Sequence, residues 1–327
     1  MGLPQSFPLR ETMTAFIAEF NASKTYWYVP KARTVNSANV ASVSAILENI
    51  SQHFDGSTWN PQTQDKLLRL LMRKGILSPR TPGDLNDRTA LVRIIKKFLE
   101  YLGLLWVEDG HGVALTIAGR RIVDGEDASA VVQGQLVKYQ YPNPTLSSAL
   151  QESFRGLLPH VFLLQVLQNV EYTLSRDEYL LFVNLATSHD DLERITRYIR
   201  AWRELNDAQR LLVDRQIQQD SCGAEHFRRV SLNLSYQIAS HTFASYLDYK
   251  RNVALISAQH TDQLDFVLDQ LLPKPSEDQS EPGQELHIAS RRHRRAPSEQ
   301  RAQERPQRLK GSTNKPKAPE STLDLPA

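Results

Sequence analysis

Residues 60–75 have the sequence NPQTQDKLLRLLMRKG and residues 103–121 the sequence GLLWVEDGHGVALTIAGRR. In the first stretch, an asparagine at the N-cap precedes a proline, and leucines recur at helical spacing until Gly75, which predicts a helix. In the second stretch, the β-prone runs LLWVE and VALT flank a turn signal at residues 109–112, which predicts a hairpin.

The segment between these stretches predicts a second helix across about residues 88–102. Its apolar residues fall on one stripe: Leu91, Ile94, Ile95, Phe98, Leu99 and Leu102. The opposite face carries three bases, Arg93, Lys96 and Lys97. Helix, turn, helix and hairpin in that order predict a winged helix, whose second helix enters the major groove of DNA.

A second subdomain follows a junction at residues 135–145, QLVKYQYPNPT, in which two prolines prevent a helix from continuing. Beyond it the sequence predicts a buried helix in VFLLQVLQNV and a capping box at Ser175 and Glu178. Next comes a long amphipathic helix that is broken near Asn206. It is followed by a helix running into a strand, and then by a last helix. This order loosely repeats the first subdomain.

The predicted fold class is therefore mainly α with short β-hairpins (α+β), in two winged-helix-like subdomains and a disordered C-terminal tail. The boundaries are 1–134 for the first subdomain, 135–272 for the second, and 273–327 for the tail. Few apolar residues and abundant Pro, Ser, Gln and Arg mean that this tail cannot offset the entropy of ordering.

The charge of the chain is unevenly distributed. Its 327 residues contain 39 Lys and Arg against 37 Asp and Glu, a net charge of +2. Residues 290–327 hold 10 of these bases and 4 of the acids, so this part of the tail carries +6 and the other 289 residues carry −4. A strongly basic body is excluded, so anion binding must come from local faces. The tail would add salt-sensitive affinity for phosphates that is independent of sequence.

The cellular context follows from what the sequence lacks. A single cysteine, Cys222, excludes an internal disulfide framework and zinc sites built from several thiolates. The N-terminus has no apolar run typical of a signal peptide, and no stretch of about 18 apolar residues occurs. We expect a cytoplasmic protein of bacterial type, associated with the nucleoid and without membrane partners.

Signatures of catalysis are also absent. The sequence contains no GxGxxG, GxxxxGK[ST], HExxH or GxSxG motif. Cys222 and His226 could act as a thiol and its base, but such a pair in a glycine-bearing turn is more often incidental. Asp248-Tyr249-Lys250 is half of a metal-dependent nuclease motif, yet no Pro-Asp dipeptide accompanies it. We assign no catalytic or metal-binding residue and no cofactor to this chain.

Basic residues near the predicted helices and hairpins are the candidate DNA contacts, because Arg and Lys donate to guanine O6 and N7 or to phosphates. The three bases on the second helix equally fit a solvated helix face. Lys138 is interleaved with Tyr139 and Tyr141, which suits nucleic acid or a packed domain junction. The residues assigned to DNA binding are Arg88, Arg93, Lys96, Lys97, His111, Arg120, Arg121, Lys138, Lys250 and Arg251.

Four arginines on the long amphipathic helix form another basic stripe: Arg194, Arg197, Arg200 and Arg203. The stripe could contact phosphates. However, Glu193 precedes Arg197 by four residues, which favours an ordinary ion pair on the helix surface.

Five segments form an ordered series: Tyr26–Val29, Arg93–Gly103 with its hairpin, Leu115–Arg120, Gln135–Pro144 and Leu174–Phe182. In this order they resemble the type IIS restriction endonucleases and nicking enzymes of the AlwI and BstNBI kind. The stretch LVKYQYP is the most specific of them, and the series spans about residues 25–270.

The resemblance implies that this span is a DNA-recognition region, built from winged-helix-like subdomains that read a short asymmetric duplex sequence. It also implies that Arg93, Lys96 and Lys97 contact bases or phosphates. In the family, a helical linker and a Mg²⁺-dependent nuclease domain follow, where this chain has its Arg-rich tail. The resemblance therefore implies a recognition portion that does not cleave alone, with Mg²⁺ needed only if a partner supplies the nuclease domain.

Sequence-specific binding of double-stranded DNA is thus the predicted function, with a separate nuclease subunit as a second partner. One alternative is a restriction or nicking subunit that is active together with such a catalytic partner. Another is a winged-helix transcriptional regulator, which would bind a palindromic site as a dimer. A protein-interaction scaffold with merely solvated basic faces is the last alternative.

Overall fold

The computed structural model describes residues 2–23, 26–27, 40–77, 89–108, 112–142, 153–231, 234, 241, 247–250, 255–258 and 261–271. The chain divides into the units Met1–Lys274 and Pro275–Ala327, and all described residues lie in the first. The helices are α1 (Arg10–Ala22), α2 (Val40–Phe54), α3 (Pro61–Arg73), α4 (Ala90–Tyr101), α5 (Ile117–Val123), α6 (Ala128–Leu136), α7 (Pro159–Asn169), α8 (Arg176–Leu181), α9 (Leu192–Glu204), α10 (Asp207–Gln219), α11 (Ser221–Ser231) and α12 (Thr261–Leu271). The strands are β1 (Leu105–Glu108), β2 (Gly112–Leu115), β3 (Thr173–Ser175), β4 (Leu247–Lys250) and β5 (Leu255–Ala258).

Local signals determine where α3 begins and ends. The side chain of Asn60 accepts a hydrogen bond from the backbone N–H of Thr63 at 2.9 Å, and Pro61 occupies the first helical position. Gly75 adopts a φ of 69°, the left-handed conformation that commonly follows a helix. The predicted helix from residue 60 to residue 75 is confirmed, and the one predicted across 88–102 is observed as α4.

Strands β1 and β2 form the predicted hairpin, with Leu105 opposite Leu115. A further backbone pairing joins this hairpin to the segment that follows α2. The N–H of Gly56 donates to the carbonyl of Val113 at 2.7 Å, and the N–H of Val113 donates to the carbonyl of Ser57 at 2.9 Å. Strand β2 therefore lies between β1 and residues 56–57, which follow α2. We call residues 40–136 the first module.

The second module, residues 159–271, pairs its strands in the same way, with more helices between them. Its three-stranded antiparallel sheet has the order β3-β5-β4, in which β4 and β5 are consecutive in the chain. Strand β3 follows helix α7 and pairs with β5. In both modules the segment after the first helix thus pairs with the second strand of a hairpin, which defines the loose repeat seen in the sequence.

Predicted signals also hold in the helices of the second module. Helix α7 is buried along most of its length, as its continuous apolar run indicates. Ser175 and Glu178 form the predicted capping box at the start of α8. The long amphipathic helix is broken where predicted, because α9 ends at Glu204 and Asn206 caps α10 in a second capping box with Gln209.

Helix α1 lies far from the second module in sequence but packs against three of its helices, α9, α10 and α11. The ring of Phe16 lies 4.6 Å from that of Phe182, measured between centroids, and Phe20 meets His226 edge-on at 4.6 Å. These aromatic residues are buried, so the N-terminal helix contributes to the core around α9 to α11.

The described residues are mainly helical with short antiparallel strands, as the sequence predicts. None of the helices in the described part combines the length and apolarity needed to span a bilayer. The division at residues 134 and 135 stays a prediction, and the predicted tail at 273–327 lies outside the described residues.

Candidate nucleic-acid interface

Helix α4 separates an apolar face from a basic one. Val92, Ile95 and Phe98 are buried on its inner side, where they pack into the core of the first module. Arg93 and Lys97, four residues apart on the opposite side, are exposed. The guanidinium of Arg93 donates to the hydroxyl of Thr89 at 2.7 Å, one turn earlier. Both cations are therefore accessible to an anionic ligand.

Lys96, the third base predicted on this face, is placed differently. Its side chain is only 21% exposed, and its ammonium lies 2.8 Å from the carboxylate of Glu100. Burial raises the pKa of Glu100, and the hydrogen bond from Lys96 opposes that shift. Lys96 would have to leave Glu100 to contact DNA, so the accessible cations of α4 are Arg93 and Lys97.

Helix α5 is fixed against the base of the hairpin. The side chain of Thr116 accepts a hydrogen bond from the N–H of Gly119 at 3.1 Å, which caps the helix. The backbone N–H of Thr116 donates to the carbonyl of Leu104 at 3.2 Å. A Cβ on Gly119 would lie 2.1 Å from that carbonyl oxygen, so only glycine permits this approach. The position of α5 relative to the hairpin is therefore tightly determined.

The two arginines of α5 are exposed but differ in their contacts. Arg121 donates from Nε and Nη2 to the carboxylate of Glu126. This pairing raises the pKa of Arg121 and lowers that of Glu126. Arg120 makes no ion pair within the described part of the chain. Of these two arginines, Arg120 is thus the more readily available.

Lys138 is exposed just after α6, whereas the aromatic residues beside it are buried. Tyr141 lies 4.7 Å from Phe154 and Tyr139 lies 6.3 Å from Tyr101, measured between ring centroids. The tyrosines therefore belong to a packed junction, which is the second of the two interpretations that the sequence allows, and only Lys138 faces solvent.

The remaining predicted contacts cannot be located by their side chains. Arg88, His111 and Arg251 lie outside the described residues, and Lys250 is described only as backbone in β4. These four assignments stay predictions. The structure places the described candidates on α4 and α5, which adjoin the same hairpin, and on the residue that follows α6.

Three of the four arginines of α9 are engaged within the fold. Arg194 pairs with Glu19 and with Asp191, the latter at 2.7 Å. Arg200 donates to the carbonyl of Asn169 at 2.7 Å. Arg203 donates to Glu178 and to two backbone carbonyls. These contacts support the interpretation of α9 as a structural helix. Arg197 and Arg200 are both exposed, but only Arg200 also donates to a backbone carbonyl.

Cys222 and His226, considered as a thiol and its base, are not paired with each other. His226 is buried against Phe20, and burial lowers its pKa to about 4. Cys222 is exposed, and no hydrogen bond in the described part of the chain joins it to His226. Among the described residues, no group of three or more His, Cys, Asp or Glu side chains could hold a metal ion.

Two surface features of the first module were not predicted. Helix α3 exposes Lys66, Arg69 and Arg73 on one side, and Trp106 in β1 is 51% exposed. The spacing of the α3 bases was visible in the sequence, since they lie three and four residues apart. The exposure of Trp106 was not, because a short hairpin strand does not show which of its faces packs on the helices.

Comparisons with known proteins agree with the resemblance stated above. Residues 100–256 match the family model described as AlwI restriction endonuclease, which confirms the resemblance over that segment. No curated protein matches the chain. One solved structure to which the chain is similar is the BpuJ1 endonuclease binding domain in complex with pyrene- and phenanthrene-modified DNA. It has a TM-score of 0.47 and 12% sequence identity, covering 77% of this chain and 86% of that one.

Proposed function

We propose that this chain binds double-stranded DNA in a sequence-specific manner, as the recognition portion of a type IIS restriction endonuclease. The observation that carries the proposal is the pair of exposed cations, Arg93 and Lys97, on the helix that directly precedes the β1–β2 hairpin. The family match supports it, because residues 100–256 include that hairpin and continue into the second module.

In this proposal both modules are winged helices. A winged helix places a short strand after its first helix, and that strand pairs with the second strand of the hairpin. Gly56 and Ser57 occupy this position beside β2, and β3 occupies it beside β5. Helix α4 is then the recognition helix of the first module and enters the major groove, where Arg and Lys donate to guanine or to phosphates.

The charge distribution fits a protein that binds DNA selectively. Outside the basic C-terminal segment the chain carries −4, so general attraction to DNA is weak and binding depends on local cations. Cleavage, in this proposal, requires a separate nuclease subunit with its own Mg²⁺. Incubation of plasmid with the purified chain and Mg²⁺ tests this point, and efficient cutting or nicking would contradict it.

Selection of duplexes from a random-sequence pool tests the binding itself. We expect an asymmetric site to be enriched, and Arg93→Ala and Lys97→Ala each to weaken binding to that site by about 1 to 3 kcal/mol per base contact. Arg215→Ala on α10 removes an equally exposed cation from the second module and should leave affinity unchanged. Failure of the wild-type chain to retard any duplex at low salt would refute the proposal.

The same selection separates the proposal from a winged-helix transcriptional regulator, a class that shares the connectivity described here. A regulator that binds as a dimer selects a palindrome, because the symmetry of the site mirrors that of the protein. Enrichment of a palindromic site, together with a dimer in sedimentation, would favour that second candidate.

A further inference from the structure

The outer face of helix α3 is a second basic surface that the proposed function does not use. Leu67, Leu68 and Leu71 are buried on the inner side of the helix. The exposed side carries the residues that we call the α3 basic face: Lys66, Arg69, Arg73 and Lys74.

Very little negative charge balances this face. Between residues 61 and 77 the single acid is Asp65, which lies 2.7 Å from Arg69. Lys66, Arg73 and Lys74 make no ion pair with any other described residue. By contrast, Glu225 on α11 forms ion pairs with both Arg228 and Arg229 of the same helix. Apart from Arg69, the cations of the α3 basic face therefore form no ion pair in the described structure.

The spacing of these cations suits an extended polyanion. Residues three and four apart lie on one side of a helix, so Lys66, Arg69 and Arg73 form a row. At a rise of about 1.5 Å per residue, Lys66 and Arg73 are separated by roughly 10 Å along the axis. In B-DNA that distance corresponds to the rise of about three successive phosphates on one strand.

We propose that the α3 basic face binds the sugar–phosphate backbone of the duplex that α4 reads. This inference rests on the proposed function, because it requires a duplex in contact with the first module. Helices α3 and α4 pack against each other. In helix-turn-helix proteins the first helix of such a pair crosses the backbone while the second lies in the groove. Phosphate contacts orient the protein on the duplex and carry no sequence information.

A double variant, Lys66→Gln with Arg73→Gln, tests the proposal. Affinity is measured for the selected duplex and for an unrelated duplex over 50 to 200 mM salt. Affinity should fall by the same factor for both duplexes, and the slope of log K against log salt should become shallower by about 1.8, which is two phosphates at about 0.9 each. The matched control, Arg197→Gln with Arg215→Gln, removes two exposed cations from α9 and α10 and should keep the wild-type slope.

The outcomes are distinguishable. A wild-type slope in the Lys66 and Arg73 variant, or a loss confined to the selected duplex, would overturn the phosphate assignment while leaving the proposed function intact. If the wild-type chain binds no duplex, the proposed function itself fails and this inference fails with it. Equal urea midpoints for both double variants and the wild type show that the substitutions act on binding and not on folding.

Discussion

In the second module three arginines of α9, Arg194, Arg200 and Arg203, bind carboxylates or backbone carbonyls of the fold. In the first module, Arg93 and Lys97 are exposed on α4. The two modules pair their strands alike but use their cations for different purposes. Positive charge stabilises the second module and is available for binding on the first.

The interiors of the modules differ as well. The second module contains three fully buried side chains linked by hydrogen bonds. His160 Nδ1 lies 2.9 Å from His241 Nδ1, and Tyr179 Oη lies 3.0 Å from His241 Nε2. Trp27 packs edge-on against Tyr179 and His241. Two protonated imidazoles would place an N–H of each ring against the other, so at least one of the two rings must be neutral.

Acid should destabilise the second module through these histidines. Burial lowers the pKa of His160 from 6.5 to about 3 and lowers that of His241 as well. In the unfolded state both rings take up protons below about pH 6.5, so their contribution to stability is present above that pH and is lost as the pH falls. Between pH 7 and pH 5 we expect a loss of about 2 kcal/mol from His160, and His241 should add to the loss in the same direction.

Urea unfolding at pH 7, 6 and 5 measures this loss, with fluorescence of the buried Trp202 as the probe. His53→Gln, which replaces an exposed histidine on α2, should leave the pH dependence unchanged. His160→Gln should reduce it, whatever its effect on stability at pH 7. A free energy of unfolding that stays constant from pH 7 to pH 5 would show that the buried rings do not resist protonation.

The contacts of Arg203 give the next largest effect. Its guanidinium donates to Glu178 at 2.8 and 3.1 Å, to the carbonyl of Val170 at 3.0 Å and to that of Thr173 at 2.6 Å. Arg203→Ala would leave the buried carboxylate of Glu178 without its cation, which should lower the free energy of unfolding by about 3 kcal/mol. Arg197→Ala, on the exposed side of the same helix, should change it by less than about 0.5 kcal/mol.

Equal unfolding midpoints for the Arg203 and Arg197 variants would show that the contacts of Arg203 do not stabilise the fold. The same two variants are informative about binding. Neither should alter the affinity of the folded chain for its selected duplex, because neither residue is among the proposed DNA contacts.

Short-range signals explain why much of the first module was predictable from the sequence. The cap at Asn60, the apolar stripe of α4 and the turn at residues 109–112 each lie within a few residues of the element they define. The interaction partners of the α9 arginines could not be predicted from the sequence. Glu19, the partner of Arg194, is 175 residues away in the sequence, and His160 and His241 are 81 residues apart. Such partners are brought together only by the tertiary fold.

The tight approach of α5 to the hairpin tests the rigidity of the first module. Gly119→Ala would place a Cβ 2.1 Å from the carbonyl oxygen of Leu104, which must shift. We expect a loss of about 2 kcal/mol in the free energy of unfolding, typical of an overpacked site. Gly134→Ala in α6 meets open space and should instead stabilise the chain by about 0.5 to 1 kcal/mol. If both variants changed the free energy of unfolding in the same direction, the close contact at Gly119 would be contradicted.

The smallest effect concerns Trp106, and it reports directly on which module meets the duplex. The four tryptophans differ in exposure, since Trp27 and Trp202 are buried, Trp59 is partly buried and Trp106 is 51% exposed. Acrylamide should therefore quench mainly the fluorescence of Trp106. Because β1 follows α4 directly, a duplex bound to α4 should pass beside the hairpin and shield the indole, so saturation with the selected duplex should lower the quenching constant. Trp106→Phe should show weak quenching with or without duplex, and full quenching of the wild-type complex would place the duplex elsewhere.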